Sequence, residues 1–232
     1  MTAWCLLLIC AVAHLSHCTQ MFPQIRVFKQ SIGSTRGYLA RLATAPFNHE
    51  FVGASKNSDS SPSSSFSDLQ REVRVGSGSA DFEKASKLLF SFAMINELPW
   101  AEVVGAEAGI SVGDTIGTLV KCYKLVWSLN PCRITSVRRE ERVSEVAFST
   151  LSGHLIAGEE RFRVIHHEDD DSVMFTMYSF TKGATTGPGI LGVAGGIVGR
   201  LAMPFIRPLQ RRFFSCQAAA MLSLMKNNAT LY

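Results

Sequence analysis

The chain has 232 residues, 47% hydrophobic and 18% charged, a composition that suits a globular protein of one large or two small domains. Its net charge of +4 is uneven: residues 183–232 contain Arg200, Arg207, Arg211, Arg212 and Lys226 and no acid. That pattern fits a solvated basic face or attraction to anionic lipid, and the lack of any DNA- or RNA-binding motif argues against nucleic acid as a partner.

Residues 1–20 carry no charged side chain, and the apolar run Trp4–Ala13 is too short to span a membrane but right for the core of a signal peptide. Residues 21–58 then place Arg26, Lys29, Arg36, Arg41 and Lys56 against one acid, Glu50, with Ser and Thr between them. Acid-poor, hydroxyl-rich sequence of this kind resembles a plastid transit peptide. Together with the signal peptide it predicts a bipartite leader and a plastid destination through the secretory pathway, with secretion as the alternative. Ser58–Ser67 is low in complexity and predicts disorder. The expected domains are therefore a signal peptide over 1–20, a transit-peptide-like and Ser-rich disordered linker over 21–72, one folded α+β domain over 73–226, and a flexible tail over 227–232. The tail includes a glycosylation sequon, Asn228-Ala-Thr230.

Within the folded unit, Phe82, Ala85, Leu88 or Leu89, Phe92 and Ile95 recur at helical spacing, with Ser79 or Asp81 as cap and Pro99 beyond the end. From Trp100 onward the period shortens. Seven strands are expected at Ala101–Val104, Thr115–Lys121, Lys124–Leu129, Arg133–Arg139, Arg142–Thr150, Glu159–His167 and Val173–Thr181, with Asn130-Pro131 among the turns. Strands that follow one another without intervening helices imply an antiparallel meander.

A long helix follows, with Ile206, Leu209, Phe213, Cys216 and Ala220 on one face, Arg207, Arg211 and Gln217 on others, and Pro208 in its first turn. Helix, meander and long C-terminal helix is the order of a helix-grip fold, in which a curved antiparallel sheet wraps the last helix.

Several patterns fail as sites for cofactors or metals. Gly187–Gly192 matches G-x-G-x-x-G, but no βαβ unit follows and the residues some twenty positions on are basic where a dinucleotide site needs an acid. The run Glu168–Asp171 lacks the alternating ligands and glycine of a calcium loop. Cys122, Cys132 and Cys216 form no C-x-x-C spacing, so zinc is not expected; a Cys122–Cys132 bridge is the alternative to buried thiols. No cofactor or metal is expected. The uncharged stretch Gly187–Gly199 is too short to span a bilayer, and reads as a lid or packing surface, with peripheral membrane contact as the other reading.

Leu98-Pro-Trp100, Asn130-Pro-Cys-Arg133, Phe148–His154, Gly158-Glu-Glu-Arg-Phe162 and Gln210-Arg-Arg-Phe213 resemble motifs of the DUF1990 (UPF0548) family of bacteria and plants. The resemblance covers roughly Val75 to Leu224. It departs at Phe148-Ser149, where Tyr-Gly is expected. It implies a helix-grip, START/Bet v 1-like domain and assigns no reaction.

The candidate ligand-binding residues are Glu160, His154, Arg133, Phe162 and Trp100. Glu159 and Glu160 cannot act as a carboxylate pair, because neighbours on a strand point to opposite faces. Glu160 shares its face with Phe162, Val164 and His166 and is the expected interior acid, with Arg133 as a nearby cation and His154 at the rim, oriented by Glu159 or Glu160. The leading functional reading is a small-molecule binding protein for an apolar or amphipathic ligand. A membrane-associated or pore-forming envelope protein and a cyclase- or hydrolase-like enzyme using His154 with Glu160 are the alternatives.

Overall fold

The computed structural model describes residues 24–56, 59–122, 126–184 and 189–227, with side chains omitted for Gln24, 189–202 and Phe205. The expected signal peptide and the sequon lie outside these residues, as does Gly187 of the glycine-rich stretch. The remainder forms one eight-stranded antiparallel sheet, three shorter α-helices before or between its early strands, and a long helix at its end.

Strands β2 (Ser67–Ser77), β3 (Ala101–Val104), β4 (Thr115–Cys122), β5 (Val126–Arg139), β6 (Val143–Thr150), β7 (Ile156–His166) and β8 (Ser172–Gly183) take the spatial order β2-β8-β7-β6-β5-β4-β3. A short strand β1 (Gln24–Arg26) pairs with β5. Helices α2 (Gly78–Phe90) and α3 (Ala93–Asn96) connect β2 to β3, and α4 (Gly189–Lys226) follows β8. The concave face of the sheet, α2, α3 and α4 share the largest core, which includes Phe92, Val146, Phe148, Phe162, Phe175, Phe214 and Met221. Each fully buried phenylalanine there contributes about 2–3 kcal/mol of transfer free energy. This is the helix-grip α+β architecture expected from the element order.

Three local expectations change and one alternative falls away. Asn130-Pro131 lies inside β5, which merges two of the expected strands. Proline fits because the Pro131 carbonyl accepts from Leu151 N at 3.1 Å, so the missing N–H also faces the end of β6 and costs no bond to β4. Helix α2 begins at Gly78 with Ser77 as N-cap, and Asp81 acts from inside the helix by accepting from Ser77 N at 2.9 Å. Helix α4 starts well before Ile206, so Pro204 and Pro208 are internal. Cys122, Cys132 and Cys216 are free thiols, without the bridge considered above.

The largest difference concerns residues 24–72, expected to be a disordered linker. Of these, residues 24–56 and 59–66 form a strap across the convex face of the sheet, and residues 67–72 open strand β2. Helix α1 (Ile32–Arg41) is capped by Ser31, whose Oγ accepts from Ser34 N at 3.2 Å, and buries Tyr38 and Leu39 against Val104, Leu119 and Leu129. A Cβ at Gly117 of β4 would lie 2.9 Å from Leu39 Cδ2 and 2.7 Å from Leu129 Cδ1, so a bare backbone there admits the helix. Further on, a 3₁₀ turn at Ala54–Lys56 precedes Phe66, which packs edge-on to Phe51 at 5.6 Å and Phe180 at 5.3 Å. The serines around Ser63 bond among themselves, and Ser61 N donates to Asp68. Aromatic anchors and local polar bonds thus order a stretch whose composition alone reads as loose.

Candidate functional site

Alternation along β7 decides which glutamate faces which environment. Glu160, Phe162 and Val164 point to the concave face and Glu159, Arg161 and Arg163 to the convex one, as the period-two pattern predicts.

On the concave face Glu160 lies between Phe148 of β6 and Ser179 of β8 in the ladder. Side chains in such directly opposed positions have Cβ atoms roughly 4.5–5.5 Å apart. Glu160 is surrounded by protein, though its residue surface is not fully covered. It makes no hydrogen bond to any described residue, and burial pushes its carboxyl up to about 7. Three further groups share its condition. Ser179 Oγ, both polar ends of Gln217 and Gln210 Oε1 are buried without a hydrogen-bond partner among the described residues. Gln210 Nε2 reaches Thr181 Oγ1 at 3.3 Å, which places this face of α4 over the end of the sheet that carries Ser179.

Aromatic rings wall the same region. Phe148 meets Phe162 at 5.4 Å, Phe162 meets Phe214 of α4 at 6.4 Å, and Phe92 meets Phe148 at 6.1 Å. Trp100, half-buried, tilts against Phe213 at 5.3 Å under the guanidinium of Arg212. Phe162 and Trp100 therefore stand on the same side of the sheet as Glu160.

Arg133 and His154 are placed elsewhere. Arg133 points to the convex face and donates to the carbonyls of Leu42, Ala43 and Ala45 at 2.8–3.0 Å, closing the end of α1 while lying over Phe47. It is not the cation beside Glu160. His154 sits in the turn after β6, where its Nδ1 accepts from Ile156 N at 3.1 Å, and burial drives it down to about 3. Neither glutamate orients it.

Glu159 instead accepts from Gly53 N at 2.6 Å, Ser55 N at 2.9 Å, Thr135 Oγ1 at 3.3 Å and Ser149 Oγ at 2.5 Å. Gly158 before it cannot be larger, since a Cβ would fall 2.0 Å from the Phe180 carbonyl oxygen. Gln217, assigned above to a face away from the apolar stripe, is buried. Helix α4 packs against the sheet through Phe214, Ala218 and Met221 and toward Trp100 through Phe213, so its covered sector is wider than one stripe.

A cleft of about 330 Å³ opens on another part of the surface, between α1 and the β3–β4 connection. Its ionisable lining is already engaged: Arg36 pairs with Glu107 at 3.0 Å and Asp114 accepts from Ser111 N at 2.7 Å. Among the described residues no group of three or more His, Cys, Asp or Glu is arranged to hold a metal.

Comparison with known proteins agrees with this geometry. The family described as "Domain of unknown function (DUF1990)" matches residues 48–220. The UPF0548 protein At2g17695 of Arabidopsis thaliana is 29% identical over 156 residues, covering 65% of this chain and 69% of that protein. Among solved structures, the ZhuI aromatase/cyclase from Streptomyces sp. R1128 superposes with a TM-score of 0.50 at 12% identity, over 72% of this chain and 97% of that one. A START superfamily protein from Mycobacterium smegmatis gives 0.46 at 13% identity, over 68% and 97%. At these identities the likeness concerns the fold.

Proposed function

The chain belongs to the DUF1990 family, and we propose that it is a small-molecule binding protein whose apolar or amphipathic ligand lies between the concave face of the sheet and α4. The observation that carries this reading is Glu160: an enclosed carboxyl with no hydrogen-bond partner among the described residues, set among aromatic walls. A polar group kept in that condition costs stability unless something complements it. That an aromatase/cyclase shares the fold supports the reading.

The remaining readings have less support. A pore needs a closed sheet around a polar lumen, whereas here the concave face carries Phe162, Phe175 and Val164 against α4. Among the described residues no helix is long and apolar enough to cross a membrane, which says nothing of crossing by strands. Catalysis by His154 with Glu160 would require the two to converge, and His154 is committed to its own turn.

Native mass spectrometry of the full chain purified from its source tests the reading. A bound small molecule that is lost on denaturation is expected; an unliganded mass from every preparation counts against it. The proposed destination is the plastid, reached through the secretory pathway. Sequencing the mature N-terminus tests that route together with the strap, because removal of residues 24–66 would take away the two backbone donors of Glu159 and the carbonyl acceptors of Arg133.

A further inference from the structure

The polar groups left over on the concave side share one property: apart from Glu160 they are neutral. Ser179 Oγ, Gln217 and Gln210 Oε1 offer hydroxyl and amide atoms only. Three basic groups of the surrounding elements are engaged elsewhere. Arg207 of α4 donates to the carbonyls of Ser67 and Thr181, Arg212 lies over Trp100, and Lys84 of α2 donates to the Met225 carbonyl at 2.7 Å. His166, on the face of Glu160 but at the far end of β7, pairs with Asp171 at 2.6 Å. From β5 the group nearest in kind is the Cys132 thiol, which burial keeps protonated.

An anionic ligand would therefore meet an acid that pairs with no cation among the described residues. An ammonium would have to be desolvated among phenylalanines with one carboxylate in return, an exchange that seldom gains free energy. A hydroxyl can be served by Glu160 in either protonation state, a carbonyl by its protonated form, and either by the Ser179 hydroxyl beside it.

Building on the ligand-binding reading, we infer that the site selects an uncharged, ring-bearing molecule with a hydroxyl or carbonyl at the end that meets Glu160 and Ser179. The ring system answers the walls formed by Phe148, Phe162, Phe214 and Trp100, where offset and edge-on contacts between rings are available.

Four probes of one shape test this on the full chain by calorimetric titration: naphthalene, 2-naphthol, 2-naphthoate and 2-(aminomethyl)naphthalene. 2-Naphthol should bind about tenfold more tightly than naphthalene, the worth of one buried hydrogen bond. The preference should vanish in Glu160→Leu and persist in Glu160→Gln, which keeps a donor and an acceptor. Both variants remove a desolvated acid, so folding should survive, and circular dichroism checks it. Tighter binding of the naphthoate or the amine, or a preference for 2-naphthol that survives Glu160→Leu, overturns the inference while naphthalene binding leaves the ligand-binding reading intact. Failure of all four probes to bind removes that reading itself.

Discussion

On the convex face of the sheet Glu159 accepts four hydrogen bonds, whereas on the concave face Glu160 accepts none from a described residue. The two are adjacent in sequence and share the same two neighbouring strands. What separates them is the covering layer. The strap brings backbone N–H groups and carbonyls, which suit charged side chains, and the inner helices bring apolar side chains, which do not. Arg133 and Arg161 follow the same rule on the convex side, both donating to strap carbonyls. A buried charge with a complete set of partners is part of the architecture, and one without them points to a task.

The contrast can be tested from its strongest side downward. Glu159→Ala should destabilise the protein by about 3–5 kcal/mol in chemical denaturation, because four donors lose their acceptor at once. A loss below about 1 kcal/mol would mean that the strap is not held by this residue. Glu160 should behave oppositely. Burial holds it near 7 against an ordinary 4.5, so between these values the native state keeps a proton that the unfolded chain has released, and stability falls as pH rises through that window. Glu160→Gln should accordingly raise stability at pH 8 by up to about 3 kcal/mol.

His154 supplies the reverse slope. Held near 3 against 6.5, it contributes stability above 6.5 that is lost as pH falls toward 3. The two slopes oppose each other between 4.5 and 6.5, and Glu160→Gln should leave a profile that rises with pH across that range. A profile unchanged from the parent protein would show that Glu160 does not titrate as its burial requires.

Smaller effects sharpen the picture. Arg133→Met should cost about 2 kcal/mol, by opening the end of α1 rather than by weakening ligand binding. Gln217→Leu should stabilise by about 1 kcal/mol, since it removes an unpaired amide from the interior, and should weaken 2-naphthol binding if that amide serves the ligand. A thermal melt and one titration per variant separate these outcomes.

Much of the concave side was legible in the sequence. Alternation alone divides Glu159 from Glu160, and the order of helix, strands and long helix leads to the fold. The convex layer was not legible. Its order depends on contacts from distant strands, such as Phe180 under Phe66 and Glu159 beneath Gly53 and Ser55, and no window of basic, serine-rich sequence reveals partners more than a hundred residues away. Strand β2 was missed because it is an edge: only Leu69, Val73 and Val75 turn inward among charged neighbours. Gln217 was misplaced because a single apolar stripe was assumed for a helix that is covered over a wider sector.

The two prolines of α4 give that helix a particular elasticity. Pro208 has no amide hydrogen for the Pro204 carbonyl, nor Pro204 for that of Arg200, so two consecutive longitudinal bonds are missing within about one turn. Between them and the rest of the molecule stands Arg207, whose guanidinium grips Ser67 and Thr181. Bending strain along the 38-residue helix collects at this compliant joint, beside its own clamp. Mechanically, α4 is two stiff rods coupled in series, with the Arg207 clamp fixed at the joint between them.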